Sequence, residues 1–502
     1  METVTHFESL RPLWAVLVSL LAIPLILLSG ERRPNLRESW TLLAAFVKAG
    51  LVWSLLPDVL DGRVAVTSLG TIVPGVELAL RVDTLGLVFG LVASTLWVLT
   101  SFYSIGYVRG AGEHKQTRYF ASFALCLSST IGIAFAANLV TFLIFFELLS
   151  LATYPLVIHK ETPKAIDAAR KYLSYVLPAG LMLVLAIVMT ATISSQQGLD
   201  FVPGGFLERT DASAPLLRWL FLFYILGVGV KAGIMPLHSW LPAAMAAPTP
   251  VSALLHAVAV VKAGVFGVLR VTGYVFGPEL LQEIGVWTAL AWAAGITLTV
   301  ASLLAMRQDN LKRRLAYSTV GHLSYIVLGA ALLSLASWKG AILHLIFHAT
   351  MKITLFFCAG AIYVRTHREN ISEMVGIGRQ MPVTMAAFAI GSLGLAGVPG
   401  INGWISKWNL AAGTLQADEP VFLMLLVLSG VLNAAYFFPI VHQAFFRSSD
   451  EYPRFGEASP LMVVPLALTA VVSLVLGLVP NLGAHAWDLA SKAAVAVIGG
   501  GS

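Results

Sequence analysis

Residues Tyr224 to Trp240 read YILGVGVKAGIMPLHSW. Lys231 closes an apolar run there, glycines flank it and Pro236 follows, so a bilayer-spanning helix is expected to break at a charge. An ionisable side chain at bilayer depth costs roughly 2.5–3.5 kcal/mol on insertion scales, and it is kept where it faces protein, water or a second charge. Glu147, Lys262, Lys352 and Lys407 lie in comparable apolar surroundings. This pattern is that of an ion pathway.

Working outward, the composition agrees. Hydrophobic residues make up 58% of the chain, charged residues 12%, and mean hydropathy is +0.82. Apolar runs long enough to span a membrane recur from end to end, which predicts an all-α polytopic membrane protein. We count fourteen spans, starting near residues 12, 39, 78, 119, 138, 170, 216, 249, 286, 315, 340, 382, 421 and 460. The first follows acidic Glu2 and Glu8 and lacks a small-residue cleavage site, so it reads as a retained span rather than a signal peptide. Cys126 and Cys358 both sit inside apolar runs, which argues against a disulfide framework or a cysteine metal site.

Connections after odd-numbered spans carry nineteen Lys and Arg, and the opposite side, termini included, carries eight. The positive-inside rule then places both termini outside the cytoplasm of a bacterial inner membrane. The same asymmetry accounts for most of the net charge of +6 without any nucleic-acid partner. Five lysines belong to neither group: Lys48, Lys231, Lys262, Lys352 and Lys407. No connection is long enough for a soluble domain, and no Walker loop, dinucleotide fingerprint, zinc-protease helix or CxxC pair occurs, so no cofactor is expected in this chain.

Glu147 is the lone carboxylate of the span NLVTFLIFFELLSLATYPLVIH, Asn138 to His159. It reads as a proton carrier or as the counter-ion of a lysine; the plainer alternative is a glutamate satisfied by a neighbouring hydroxyl. An opposite charge nearby keeps a buried lysine protonated and its withdrawal favours proton release, so such a pair is a two-state switch. The run from Lys231 to Arg270 holds Pro236, Pro242, Pro248 and Pro250, which preclude a continuous helix. Irregular backbone at membrane depth is tolerated where it lines a cavity or is buried in protein, and this suits a hydrated route through Lys231, His256 and Lys262. Taken singly, His256 is an ordinary packing residue; beside two lysines it reads as part of a relay. His344, His348 and Lys352 are spaced i, i+4, i+8 and form one stripe along a helix. No carboxylate accompanies the two histidines and Lys352 repels a cation, so a relay is favoured there and no metal is expected.

The run PLHSWLPAAMAAPTPVSALLHA resembles the signature of the proton-translocating, antiporter-like membrane subunits shared by respiratory complex I, membrane-bound hydrogenases and Mrp-type cation/proton antiporters. The resemblance extends to the Glu147 span, to RQDNLKRRLAYSTVGHLSYI from Arg307, to AILHLIFHATMKITLFFCAG from Ala341 and to GLAGVPGINGWISKW from Gly394. It implies two inverted five-helix repeats, spans four to eight and nine to thirteen, each with an interrupted helix. The corresponding segments are 1–116 (three N-terminal helices), 117–274 and 286–446 (the repeats) and 447–502 (a C-terminal helix and tail). It also implies that Glu147 pairs with Lys231 and that the proton passes through Lys262 to Lys407. By the same offset, His322 falls opposite Glu147 and His442 opposite Lys262, with packing an equal alternative for His322.

Lys407, where shorter complex I subunits carry glutamate, looks more like the D-type Mrp subunit. The resemblance therefore implies a subunit of a multi-subunit Na+/H+ antiporter, working with other membrane subunits, protons, a monovalent cation and lipid. Alternatives are the pumping arm of a quinone- or hydrogenase-linked redox complex, a subunit of an inorganic-carbon uptake complex, and a structural scaffold.

Overall fold

The computed structural model describes residues 5–73, 76–194, 198–452 and 454–499. Helices dominate, and several begin where a short polar side chain takes up a free backbone N–H of the first turn. Asp83, Asn138, Thr162, Asn310 and Ser334 each cap the helix that follows. In chain order the first half has α1 Arg11–Ser29, α2 Pro34–Trp53, α3 Thr84–Gly110, α4 Gln116–Ala134, α5 Leu139–Val157, α6 Pro163–Ile193, α7 Ala214–Ala232 and α8 Thr249–Phe276. The second half has α9 Val286–Met306, α10 Leu311–Ala331, α11 Leu335–Thr366, α12 Pro382–Ala396, α13 Asn402–Gln416, α14 Pro420–Phe446, α15 Pro460–Leu478 and α16 Ala486–Ile498.

Among the described residues, eleven helices are long and apolar enough to cross a membrane. The expected spans near residues 119, 315 and 382 are helical but fall outside that set. Helices α4 and α10 carry many polar side chains, and the third is split into α12 and α13. Length and composition thus support eleven of the fourteen expected spans among the described residues.

The all-helical expectation needs one addition, a three-stranded sheet in the order β1 (Thr5–Glu8), β2 (Arg63–Val73), β3 (Val76–Val82). Strand β1 runs parallel to β2 with Thr5 opposite Arg63, and β2 and β3 pair antiparallel with Ala65 opposite Val82. The segment RVAVTSLGTIV is rich in β-branched residues, which fit a pleated strand better than a helix. For the same reason the helix expected from residue 78 starts later, at Thr84.

Both expected interruptions are present. Helix α7 ends at Gly233, which adopts φ +71, and short turns at Trp240–Ala243 and Ala244–Ala246 follow. Helix α12 ends at Gly397, with φ +96, before α13 restarts at Asn402. An alanine built at Gly397 would also place Cβ 2.9 Å from Cδ of Lys407, so conformation and packing both require glycine there.

Helix α8 is buried along its whole length and α11 from Gly340 to Ile362, whereas about two thirds of α14 is partly or fully exposed. Helix α11 is the axis of the molecule and packs on α3, α8, α10, α12, α13, α15 and α16. Its 32 residues extend about 48 Å at 1.5 Å per residue, well beyond a hydrocarbon core of about 30 Å. Helix α8 contains two wider, π-type turns, at Leu254–Val258 and Val271–Phe276, a winding that often marks functional sites.

Candidate functional site: buried lysines and histidines

At the N-terminal end of the site, Lys231 in the last turn of α7 is 1% exposed. Its Nζ donates to the Phe146 carbonyl of α5 at 2.5 Å and lies 3.4 Å from the centroid of the Phe146 ring. An ammonium held on a carbonyl and an aromatic face is partly compensated for lost water. Glu147 is the next residue of α5, and its carboxyl packs against Gly180 of α6, where a Cβ would come within 2.8 Å of Oε1. No ion pair within 4 Å joins Glu147 to Lys231 among the described residues, and Glu147 Oε1 has no hydrogen-bond partner there. The expected pair is thus adjacent but separated. Helix α8 reaches the end of α7 through Gly264, where a Cβ would sit 2.1 Å from the Ala232 nitrogen.

Lys262 on α8 is fully buried and lies 3.0 Å from Nδ1 of His348 on α11. A lysine nitrogen beside an imidazole nitrogen makes Lys262 the donor and leaves the hydrogen of neutral His348 on Nε2. That nitrogen has no partner among the described residues, and the His348 ring lies 5.5 Å from that of His322 and 5.9 Å from that of His344. The first hydrogen-bonded segment therefore ends at a contact between rings.

A second segment starts beyond it. His322 Nδ1 lies 3.1 Å from His344 Nε2, His344 Nδ1 lies 2.9 Å from Ser406 Oγ, and Asn433 Nδ2 lies 3.2 Å from His322 Nε2. Asn433 Oδ1 accepts from the Tyr436 hydroxyl at 2.6 Å, which orients the amide with its NH2 toward His322. The tautomers follow from partner to partner. His322 accepts at Nε2 and donates from Nδ1; His344 accepts at Nε2 and donates from Nδ1 to Ser406; Ser406 donates to the Gly403 carbonyl at 3.0 Å. Every bond in this segment points the same way, from α14 toward the restart of α13.

Lys407 is joined to this segment through a shared carbonyl. Its Nζ donates to Leu395 O at 2.6 Å and Ala396 O at 3.1 Å, and Asn433 Nδ2 donates to the same Leu395 oxygen at 3.3 Å. These are free carbonyls at the C-terminus of α12, the negative end of its dipole, so a cation is well placed. Lys352, four residues after His348, turns instead to Ser318 Oγ at 2.8 Å, and Ser318 contacts the Tyr436 hydroxyl at 2.9 Å. Lys352 thus reaches the histidines through the Asn433 amide, a group that passes a proton poorly.

Two expected members stand apart. His256 lies in the first π-type turn of α8, fully buried, with its ring 4.8 Å from that of Phe356 and neither nitrogen hydrogen-bonded among the described residues. It does not bridge Lys231 to Lys262. His442 is exposed on α14 and stacks on Phe446 at 5.6 Å, so its proposed match to buried Lys262 is not reproduced. The polar contributors from α14 are Asn433 and Tyr436, which the sequence reading missed together with Ser406 and Ser318. A polar amide inside an apolar span carries the same cost that drew attention to Glu147, and that signal marks Asn433.

With this geometry in place, residues 136–433 match the family described as NADH:quinone oxidoreductase/Mrp antiporter, TM. The chain belongs to that family. Within it, the chain is similar to NADH-quinone oxidoreductase subunit N of Desulforudis audaxviator, 32% identical over 418 residues that cover 78% of this chain and 81% of that protein. It is also similar to a probable K(+)/H(+) antiporter subunit of Rhizobium meliloti, 31% identical over 417 residues that cover 81% of this chain and 40% of that one. In fold it matches a chain of the Mrp complex from Dietzia sp. DQ12-45-1b with a TM-score of 0.85, 19% identity and 98% coverage of both chains. As a member of the family it is a multi-pass membrane protein, and its relatives work within multi-subunit membrane complexes.

Proposed function

We propose that the chain is a proton-translocating subunit of a multi-subunit monovalent cation/proton antiporter in a bacterial plasma membrane, with both termini on the non-cytoplasmic side. The observation that carries this reading is a pair of hydrogen-bonded segments, Lys262 with His348 and His322 with His344 and Ser406, whose histidine rings lie 5.5–5.9 Å apart, with a lysine beside each interrupted helix. A proton enters near Glu147 and Lys231, crosses to Lys262 and His348, and leaves by Lys407. The steps from Lys231 to Lys262 and from His348 to the histidine pair require side-chain motion or water, because no direct hydrogen bond bridges them among the described residues. The cation is sodium in this reading, supported by the similarity to a Na(+)/H(+) antiporter subunit.

The second reading, a proton-pumping arm of a redox complex, is favoured by the similarity to the NADH-quinone oxidoreductase relative, most of whose length the chain covers. One experiment separates the two. The protein is purified from its own membranes with everything bound to it, then examined by mass spectrometry and absorbance. Small membrane partners without cofactor absorbance support the antiporter; iron–sulfur, flavin or nickel subunits overturn it in favour of the redox arm. Within either complex, Glu147→Gln and Lys231→Ala should abolish coupled proton movement while assembly persists. Unchanged flux in both variants rules out the relay.

A further inference from the structure

We propose that Glu113, His114 and His159 form a binding site for one divalent transition-metal ion, with zinc as the chemical type, on the Lys- and Arg-rich face of the molecule. The three side chains offer two imidazole nitrogens and a carboxylate oxygen that all lie within 4.8 Å of one another. They come from two separate pieces of chain. The loop joining α3 to α4 folds back on itself through Gly112 at φ +63 and Lys115 at φ +49, while Glu113 N donates to Val108 O at 3.0 Å. His159 follows the end of α5. The rings of His114 and His159 stack at 5.3 Å with 28° between their planes.

His159 is the observation that points to a ligand. Its ring is fully buried, and neither nitrogen has a hydrogen-bond partner among the described residues. Its Nε2 faces Glu113 Oε2 at 3.8 Å, too far for a hydrogen bond. The Glu113 side chain is 8% exposed, with Lys160 at 3.8 Å as its other cationic neighbour. A buried imidazole with neither nitrogen partnered is costly, and one metal ion would satisfy it together with the largely covered Glu113 carboxylate.

Two histidines and one carboxylate suit zinc, cobalt or nickel, whereas magnesium and calcium prefer oxygen alone. Zinc bonds of about 2.1 Å in a tetrahedron set neighbouring ligand atoms about 3.4 Å apart. The site must therefore tighten, and His114, 46% exposed at the loop tip, is free to swing inward. Positive charge around the site is largely answered, since Glu161 holds Lys115 and Arg118 at 2.7 Å each and faces His114 at 3.7 Å. The remaining cation, Lys160, is 24% exposed and can turn to water when a metal takes its place beside Glu113. The donor set, unlike His344 and His348, adds a carboxylate to its two histidines. The inference stands apart from the transport reading, because a bound ion would tie the α3–α4 loop to the end of α5 whatever the relay does.

The test uses the full-length protein purified through a tag without histidines and stripped with a chelator. Cobalt(II) is titrated and followed by visible absorption and by metal analysis. We expect one equivalent per chain with the ligand-field bands of a four-coordinate ion, displaced by zinc, and binding at least tenfold weaker in His114→Ala. Because His114 is exposed, that variant should fold; Glu113→Gln provides a second variant with the same expectation. Equal cobalt uptake by wild type and both variants, or a spectrum of six-coordinate cobalt alone, overturns the site.

Discussion

Asn433 does two things at once: its oxygen receives the Tyr436 hydroxyl and its NH2 group reaches both His322 Nε2 and the Leu395 carbonyl. It acts as a positioning residue, since it fixes which nitrogen of His322 carries the hydrogen, and through that bond the tautomer of His344. Asn433→Leu keeps the apolar span but leaves His322 Nε2 without a partner, at about 1–3 kcal/mol, while Leu395 O keeps Lys407 and the Tyr436 hydroxyl keeps Ser318. We expect proton flux in proteoliposomes of the complex to fall tenfold or more while native gels show normal assembly. Flux equal to wild type would mean the histidines orient without the amide. Asn433 and His442 lie nine residues apart on α14, about 900° of helical rotation at 100° per residue, and so on opposite faces. This is why an offset counted along the sequence selected the outward-facing residue.

Among the elements, the helix interruptions were legible because Gly and Pro act locally, and the charged positions were legible because each carries its own cost in an apolar span. Which side chains meet depends on rotation about each helix and on contact between distant elements, and here the sequence was silent. The sheet was missed for another reason: β2 falls in a connection read only for its length. Two predictions belong to this scale. Gly397→Ala forces φ +96 on a residue with a Cβ and displaces Lys407 from the end of α12, whereas Gly430, whose added Cβ would meet nothing closer than 3.7 Å, tolerates alanine. The strain is about 1–2 kcal/mol before the Lys407 shift, so Gly397→Ala should lower Tm by about 1–2 °C and reduce flux, with Gly430→Ala as the unaffected control. Equal Tm for the two variants would remove the argument.

The second concerns Asp83, which caps α3 and forms a two-pronged pair with Arg270 at 2.5 and 2.9 Å. Burial pushes its carboxyl upward, but the Arg270 guanidinium outweighs this and holds it below the ordinary carboxylate value. A lowered folded-state value means the pair's contribution is complete above about pH 3.9, the value in the unfolded chain, and is lost as pH falls through the lower one. Thermal stability in detergent should therefore fall steeply below about pH 4 in wild type. Asp83→Asn, which keeps a capping oxygen, should be less stable at pH 7 and lose less stability across that window than wild type. The same slope in both proteins would assign acid sensitivity elsewhere.

For the whole molecule, the distribution of Lys and Arg predicts orientation, and both native cysteines, Cys126 and Cys358, are buried. A cysteine introduced at an exposed connection is thus read against a quiet background. Ser213→Cys, before α7, should react with a membrane-impermeant maleimide in intact cells, and Ser448→Cys, after α14, only after permeabilisation. The reverse pattern would turn the molecule over. Finally, the bonds through His322, His344 and Ser406 all run one way. Once a proton has hopped along them, each former donor faces its neighbour as an acceptor, and a second proton cannot follow in the same direction until the rings turn over. Such a conductor has a refractory period, so throughput should level off at high driving force at a rate set by the resetting of the histidines.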